Sequence, residues 1–102
     1  MIGDRDLGIA REGYSSASLH RLVWETAAEL GYGRHFLDEE MYIEDDHIPF
    51  VQAGVNALNL IDFSYGPDHS WWHTSEDTLD KLSPRSLDIV GAVLVRVLTR
   101  LE

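Results

Sequence analysis

An apolar run, Val55–Phe63 (VNALNLIDF), constrains the fold of this chain more than any other stretch. Gly54 precedes it, and a loop opened by Gly66 and Pro67 follows it. A short continuous apolar segment between turn residues reads as a strand buried on both faces, here with Asp62 at its end. Such a strand needs neighbours on either side and helices over its faces, which is the setting of an α/β sheet. The helix comes next. Ser83 is a good N-cap and Pro84 suits the first helical position. Leu87, Val90, Leu94, Val97, Leu98 and Leu101 make one apolar face at helical spacing. Asp88 near the start, and Arg96 and Arg100 near the end, complement the helix dipole. Strand, loop and long helix in that order predict an α/β unit.

Upstream, Met1-Ile2 reads as the tail of an apolar strand and Gly3-Asp4 as the turn after it. Residues 10–18 are small and polar, and Ser15, Ser16 and Ser18 are candidate N-caps. Leu19, Leu22, Val23, Ala27 and Leu30 then share a helical face, which Gly31 and Gly33 end. His20 is expected to face solvent on that helix, and Trp24 to pack at the edge of its stripe. Residues 34–43 read as an irregular connection with a short strand at Met41–Ile43. Asp46 is placed to cap a short helix over roughly 47–53, with Pro49 in its first turn and Gly54 stopping it.

The net charge is −10, from 18 acids against 8 bases, which argues against nucleic acid or an anionic membrane as partner. No stretch is apolar for long enough to span a bilayer. With no cysteine, a disulfide framework or thiolate zinc site is ruled out, so any metal site must use His, Asp or Glu.

The loop Tyr65–Asp77 (YGPDHSWWHTSED) carries the residues best suited to chemistry. Thr74-Ser75-Glu76-Asp77 closes it in the manner of a helix N-cap. His73 lies beside two indoles, and neutral imidazole is the commonest nitrogen ligand for zinc. A hydrogen-bonded loop histidine is the plainer reading, and composition alone favours it. His69 and His73 are four apart, but on a loop that spacing does not make them a pair. Trp71 and Trp72 either wall a pocket or fill the core. Glu44, Asp45 and Asp46 read as a solvated face or a cap. Alternatively, one of them holds a proton because a neighbouring carboxylate raises its pKa.

Taken together, EDDHIPF at 44–50, a glycine and an apolar strand, then WHT at 72–74 with an acid at Asp77, resemble a zinc-dependent exopeptidase domain. The resemblance is to its C-terminal part, in the glutaminyl cyclase branch that converts N-terminal glutamine to pyroglutamate. MIGD at 1–4 resembles a strand end of the same domain, so the likeness runs over nearly the whole chain. It implies a three-layer α/β/α domain, of which residues 1–102 would be one partial domain with few strands and a long C-terminal helix. It implies zinc as a Lewis acid on a carbonyl, a glutamate moving the proton, and peptide N-termini as substrates. By position, His73 matches the zinc-ligand histidine and Trp72 the tryptophan lining the substrate pocket. Asp45 matches an acid that hydrogen-bonds near the catalytic glutamate, while Asp46 and His47 would order the loop.

Two features depart from that pattern. The cyclases usually carry histidine where this chain has Asn59. Their other zinc ligands and the catalytic glutamate precede the position of Met1. The expectation is a fragment without cyclase or peptidase activity on its own, zinc belonging to the complete domain and not necessarily to this chain. The exposed edge of Val55–Phe63 is expected to recruit a second copy, giving a homo-oligomer. An exported parent protein is expected from the resemblance alone. Two readings from other classes stand beside it. One is a non-catalytic acidic α/β module that binds a protein partner through its tryptophan loop. The other is a small cation-binding protein using Glu44, Asp45, Asp46 and the histidines.

Overall fold

The strand–helix–strand unit forms, but upstream of the apolar run. A computed structural model describes residues 1–101. Strand β1 (Ile9–Glu12) and strand β2 (Phe36–Met41) pair in parallel, joined by helix α1 (Ala17–Glu29). A short helix α2 (Ile48–Gln52) follows, then a long irregular stretch, then helix α3 (Pro84–Arg100). The ladder pairs Ile9 with Phe36 and Arg11 with Glu40, with an irregularity between them. Neither strand announces itself in sequence. In β1 the buried end residues are Ile9 and Glu12, and in β2 only Phe36 is buried before a run of exposed acids. The short strand expected at Met41–Ile43 is instead the last residue of β2 and the chain leaving it.

Val55–Phe63 joins no ladder among the described residues. Two of its N–H groups are taken by serine hydroxyls. Ala57 N–H donates to Ser16 Oγ (2.9 Å), Asn59 N–H to Ser15 Oγ (2.9 Å), and Ser16 N–H to the Ala57 carbonyl (2.8 Å). A backbone polar group that leaves water must find some partner, and here side chains take the place of a neighbouring strand. The same bonds explain why Ser16, though at the N-cap position of α1, makes no side-chain capping bond. Met1-Ile2 likewise forms no strand; the chain meets the start of α3 through a single antiparallel bridge, Asp4 to Leu82.

The core is Leu7, Ile9, Val23, Trp24, Ala27 and Phe36 from the strand–helix–strand unit, closed by Ile89, Val90, Val93 and Val97 of α3. Ser83 caps α3 as expected, accepting from Arg85 N–H (3.2 Å). The buried face of α3 is rotated from the expected one. Ser86, Ile89, Val90, Val93 and Val97 are buried, while Leu87, Leu98 and Leu101 are exposed. The helix is apolar over much of its girth, so periodicity admits two stripes. Packing against α1 selects the β-branched one, whose side chains are stiff and compact. Arg100 ties the two helices by donating to Thr26 Oγ1 (2.9 Å) and pairing with Glu29.

Three smaller expectations change. His20 is half-buried rather than solvent-facing, because its Nε2–H donates to the Glu12 carbonyl (2.7 Å) and its ring abuts Trp24. Trp24 is inside the core, edge-on to Phe36, with its N–H given to the Leu37 carbonyl (2.8 Å). Asp46 does not cap α2. His47 occupies the N-cap with helical backbone angles and no side-chain capping bond, which leaves Asp46 one residue too early. Gly54 ends the helical segment at φ +82°, a left-handed conformation that a side chain rarely adopts.

Candidate functional site

Two groups of side chains stand out, one around Asp45 and one on the loop after Phe63. The first is anchored by a residue the sequence did not single out, Glu12. Its carboxylate is fully buried at the end of β1. It accepts from Tyr14 N–H (3.1 Å), Ile43 N–H (3.1 Å), Ser15 Oγ (2.9 Å) and His47 Nε2 (2.6 Å). Burial is the largest single influence and pushes its pKa up, but the hydrogen bonds together outweigh it and hold Glu12 below its ordinary value.

Because His47 gives its Nε2 proton to Glu12, its Nδ1 is an acceptor. Asn59 meets it: one amide hydrogen goes to His47 Nδ1 (3.4 Å) and the other to Asp45 Oδ2 (3.2 Å). The result is a continuous chain Glu12–His47–Asn59–Asp45. Neutral imidazole has a single N–H, so a histidine in place of Asn59 could donate to only one of these two groups. Asp45 Oδ1 accepts from Asp46 N–H (2.8 Å). This bond first, and then Asn59, holds the Asp45 carboxyl below its ordinary value. Asp45 is therefore not an acid of this run with a raised pKa. Asp45 is exposed and receives hydrogen bonds, both of which favour the carboxylate. Asp46 is exposed, and His47 is buried.

The second group is the loop. Tyr65 is buried and donates to Asp77 Oδ1 (2.6 Å), which fastens one end of the loop to the other. That bond is the main reason the Tyr65 phenol is pushed up to about 12. Gly66 takes φ +79°, and a Cβ there would lie 2.5 Å from the Trp71 ring, so only glycine lets the indole close over the turn. Lys81 Nζ sits over the Trp71 ring, 5.0 Å from its centroid. Trp72 leans on Phe63 (5.2 Å) and stacks on His73, with centroids 4.0 Å apart and planes at 14°. His69 bonds the Phe63 carbonyl through Nδ1. Asp68, His69 and His73 all take positive φ, an unusual conformation for residues with side chains, and His73 is exposed. Thr74–Asp77 closes the loop as a turn, Asp77 N–H to Thr74 carbonyl (3.1 Å), and no helix starts there.

The structure therefore joins Asp45 to His47 and Trp72 to His73. Among the described residues, no three His, Asp or Glu side chains converge as a metal site. His73 presents one imidazole where a catalytic zinc takes about three protein ligands. The residues present do not complete such a site.

Comparison with known proteins extends this picture. The glutaminyl-peptide cyclotransferase of Bos taurus is 32% identical over 92 residues, covering 90% of this chain and 21% of the relative. The crystal structure of an Acidobacteriales bacterium glutaminyl cyclase superposes with a TM-score of 0.93 at 38% identity, covering 97% of this chain and 36% of that one. A Zn-dependent exopeptidase from Parabacteroides distasonis shares the fold, with a TM-score of 0.82 at 24% identity over 95% of this chain and 36% of that one. The chain thus spans about a fifth of the curated relatives it matches and about a third of these solved structures. The model of peptidase family M28 matches residues 1–98, and the chain belongs to that family.

Proposed function

We propose that this chain carries one wall of a glutaminyl cyclase-type active site acting on peptide N-termini, zinc-dependent in the complete domain. Family membership across residues 1–98 is the observation that carries this reading. Within it, Trp72 lines the substrate pocket, His73 is the one zinc ligand this chain contributes, and Asp45 is the catalytic-site acid that hydrogen-bonds near the catalytic glutamate. The structure supports these roles in particular ways. Trp72 holds the His73 ring flat against its own face, which removes rotational freedom from a ligand before any metal arrives. Asp45 is kept ionised by two donors and aimed by Asn59, so it is set to accept a hydrogen bond rather than give one. His47 and Glu12 fix Asn59 from behind, and Asp46 contributes the N–H that orients Asp45.

The test is zinc per chain on untagged protein dialysed against a weak chelator, with turnover of an N-terminal glutamine peptide measured alongside. Near-zero zinc and no turnover are expected for this chain alone, with zinc retention and cyclisation appearing when it is joined to the preceding two-thirds of a related domain. His73→Ala should abolish zinc retention in that joined protein. A joined protein that retains no zinc and does not cyclise, or metal-dependent turnover by this chain alone, would overturn the assignment.

A further inference from the structure

Two aspartates outside the groups described above face each other in the interior. Asp4 and Asp62 are 1% and 0% exposed. One oxygen of each is occupied, Asp4 Oδ1 by Asp6 N–H (3.0 Å) and Asp62 Oδ2 by Gly8 N–H (3.0 Å). The other two, Asp4 Oδ2 and Asp62 Oδ1, have no donor among the described residues, and the two side chains are within hydrogen-bonding reach of each other. Two carboxylate anions cannot be buried in contact without a cation or a proton. A single proton between the two free oxygens satisfies both.

The position of this pair matters. Residues 3–8 form a hub to which both stems of the tryptophan loop are fastened. The exit stem is bound by Ser83 N–H to the Gly3 carbonyl (2.9 Å) and Arg5 N–H to the Lys81 carbonyl (2.9 Å). Ser86 Oγ adds a bond to the Asp4 carbonyl (2.6 Å), and the Arg5 guanidinium donates to the carbonyls of Asp80 and Leu82. The entry stem is bound at Asp62, by Gly8 and by Asp4.

We propose that Asp4 and Asp62 share one proton and act as a clasp at the base of the loop carrying Trp72 and His73, closed when the proton is held and loosened when it is lost. The groups around the clasp agree with a retained proton. Burial first, and Asp4 second, push the Asp62 carboxyl up to about 7, against the smaller opposing pull of Gly8 N–H and the Met1 amino group. Tyr65 is committed to Asp77, and the Arg5 guanidinium to carbonyls of the exit stem, so neither neutralises the pair. Asp6 and Trp71 line the adjoining cavity with Asp4, and Asp6 adds negative charge there. Loss of the proton puts two buried anions together and favours separation of Asp62 from residues 3–8. This inference does not depend on the proposed enzymatic role.

The test is a pH titration of the whole chain from 4 to 9 by NMR, following aspartate side-chain carboxyl carbons and the exit-stem amides 79–83, which are fastened to residues 3–5. One aspartate should titrate near 7, and the exit-stem amides 79–83 should move with the same midpoint. In Asp4→Asn, the amide can donate to ionised Asp62, so the midpoint should fall by at least one pH unit, a tenfold stronger acid. In Asp62→Asn, the exit-stem amides 79–83, which carry no histidine, should show no transition near 7. The proposal is overturned if wild-type protein shows every aspartate titrating in the ordinary range, or if the exit-stem amides 79–83 still move near pH 7 in Asp62→Asn. The wild-type titration decides the matter even if a variant fails to fold.

Discussion

Replacing Glu12 by glutamine should destabilise the chain out of proportion to its small change in shape. The carboxylate takes four donors, two of them backbone N–H groups, through two oxygens. Glutamine keeps one oxygen. If its amide nitrogen takes the place of Oε2, Ile43 N–H faces another N–H and loses its only side-chain acceptor. If it takes the place of Oε1, Ser15 and His47 must turn away. Leaving one buried donor unsatisfied costs about 1–3 kcal/mol, and the remaining bonds lose their charge assistance. A loss of about 2–4 kcal/mol follows, measured by urea unfolding at pH 7. Glu12 is held below its ordinary value of 4.5, so its contribution is present above pH 4.5 and disappears as pH falls through the depressed value. The difference between wild type and Glu12→Gln should therefore shrink in acid. A variant within about 0.5 kcal/mol of wild type at pH 7 would refute the reasoning, since surface substitutions without such partners fall in that range.

Three further outcomes are expected. Gly66→Ala places a methyl group against Trp71 in a left-handed backbone, and should cost about 1–3 kcal/mol while shifting tryptophan fluorescence; unchanged emission and melting would count against the close approach. Asp62, raised from 3.8 to about 7, holds a proton that the unfolded chain releases, so its contribution is complete below pH 3.8, declines as pH rises and is gone above 7. That difference amounts to about 4 kcal/mol, and urea midpoints that do not fall between pH 5 and 8 relative to Asp62→Asn would contradict it. Sedimentation at micromolar concentration should reveal self-association through the unladdered Val55–Phe63 segment and the exposed Leu87, Leu98 and Leu101 of α3, and a strictly monomeric boundary would exclude it.

Local signals were enough for the punctuation of this chain. Ser83-Pro84 started α3, Gly31 followed α1, and Gly54 followed α2, because caps and left-handed glycines are decided by a few neighbouring residues. The motifs EDDHIPF and WHT pointed to the family for the same reason, as identities at fixed spacing need no fold to be read. What required the tertiary structure was the choice of partner. Val55–Phe63 had the composition of a buried strand, but a strand exists only with a ladder neighbour, and here the Ala57 and Asn59 N–H groups went to Ser16 and Ser15. Helix α3 had two apolar stripes that share Val90 and Val97, and only packing against α1 selected Ile89 and Val93. Glu12, Asp4 and Asp62 passed as ordinary polar residues in sequence, and Asn59 showed only as a departure from the family pattern. Their chemistry comes from groups 12 to 58 positions away, brought within hydrogen-bond distance in places that exclude water. Burial and partnership set the properties of a polar side chain, and both are decided by how the chain folds over long range.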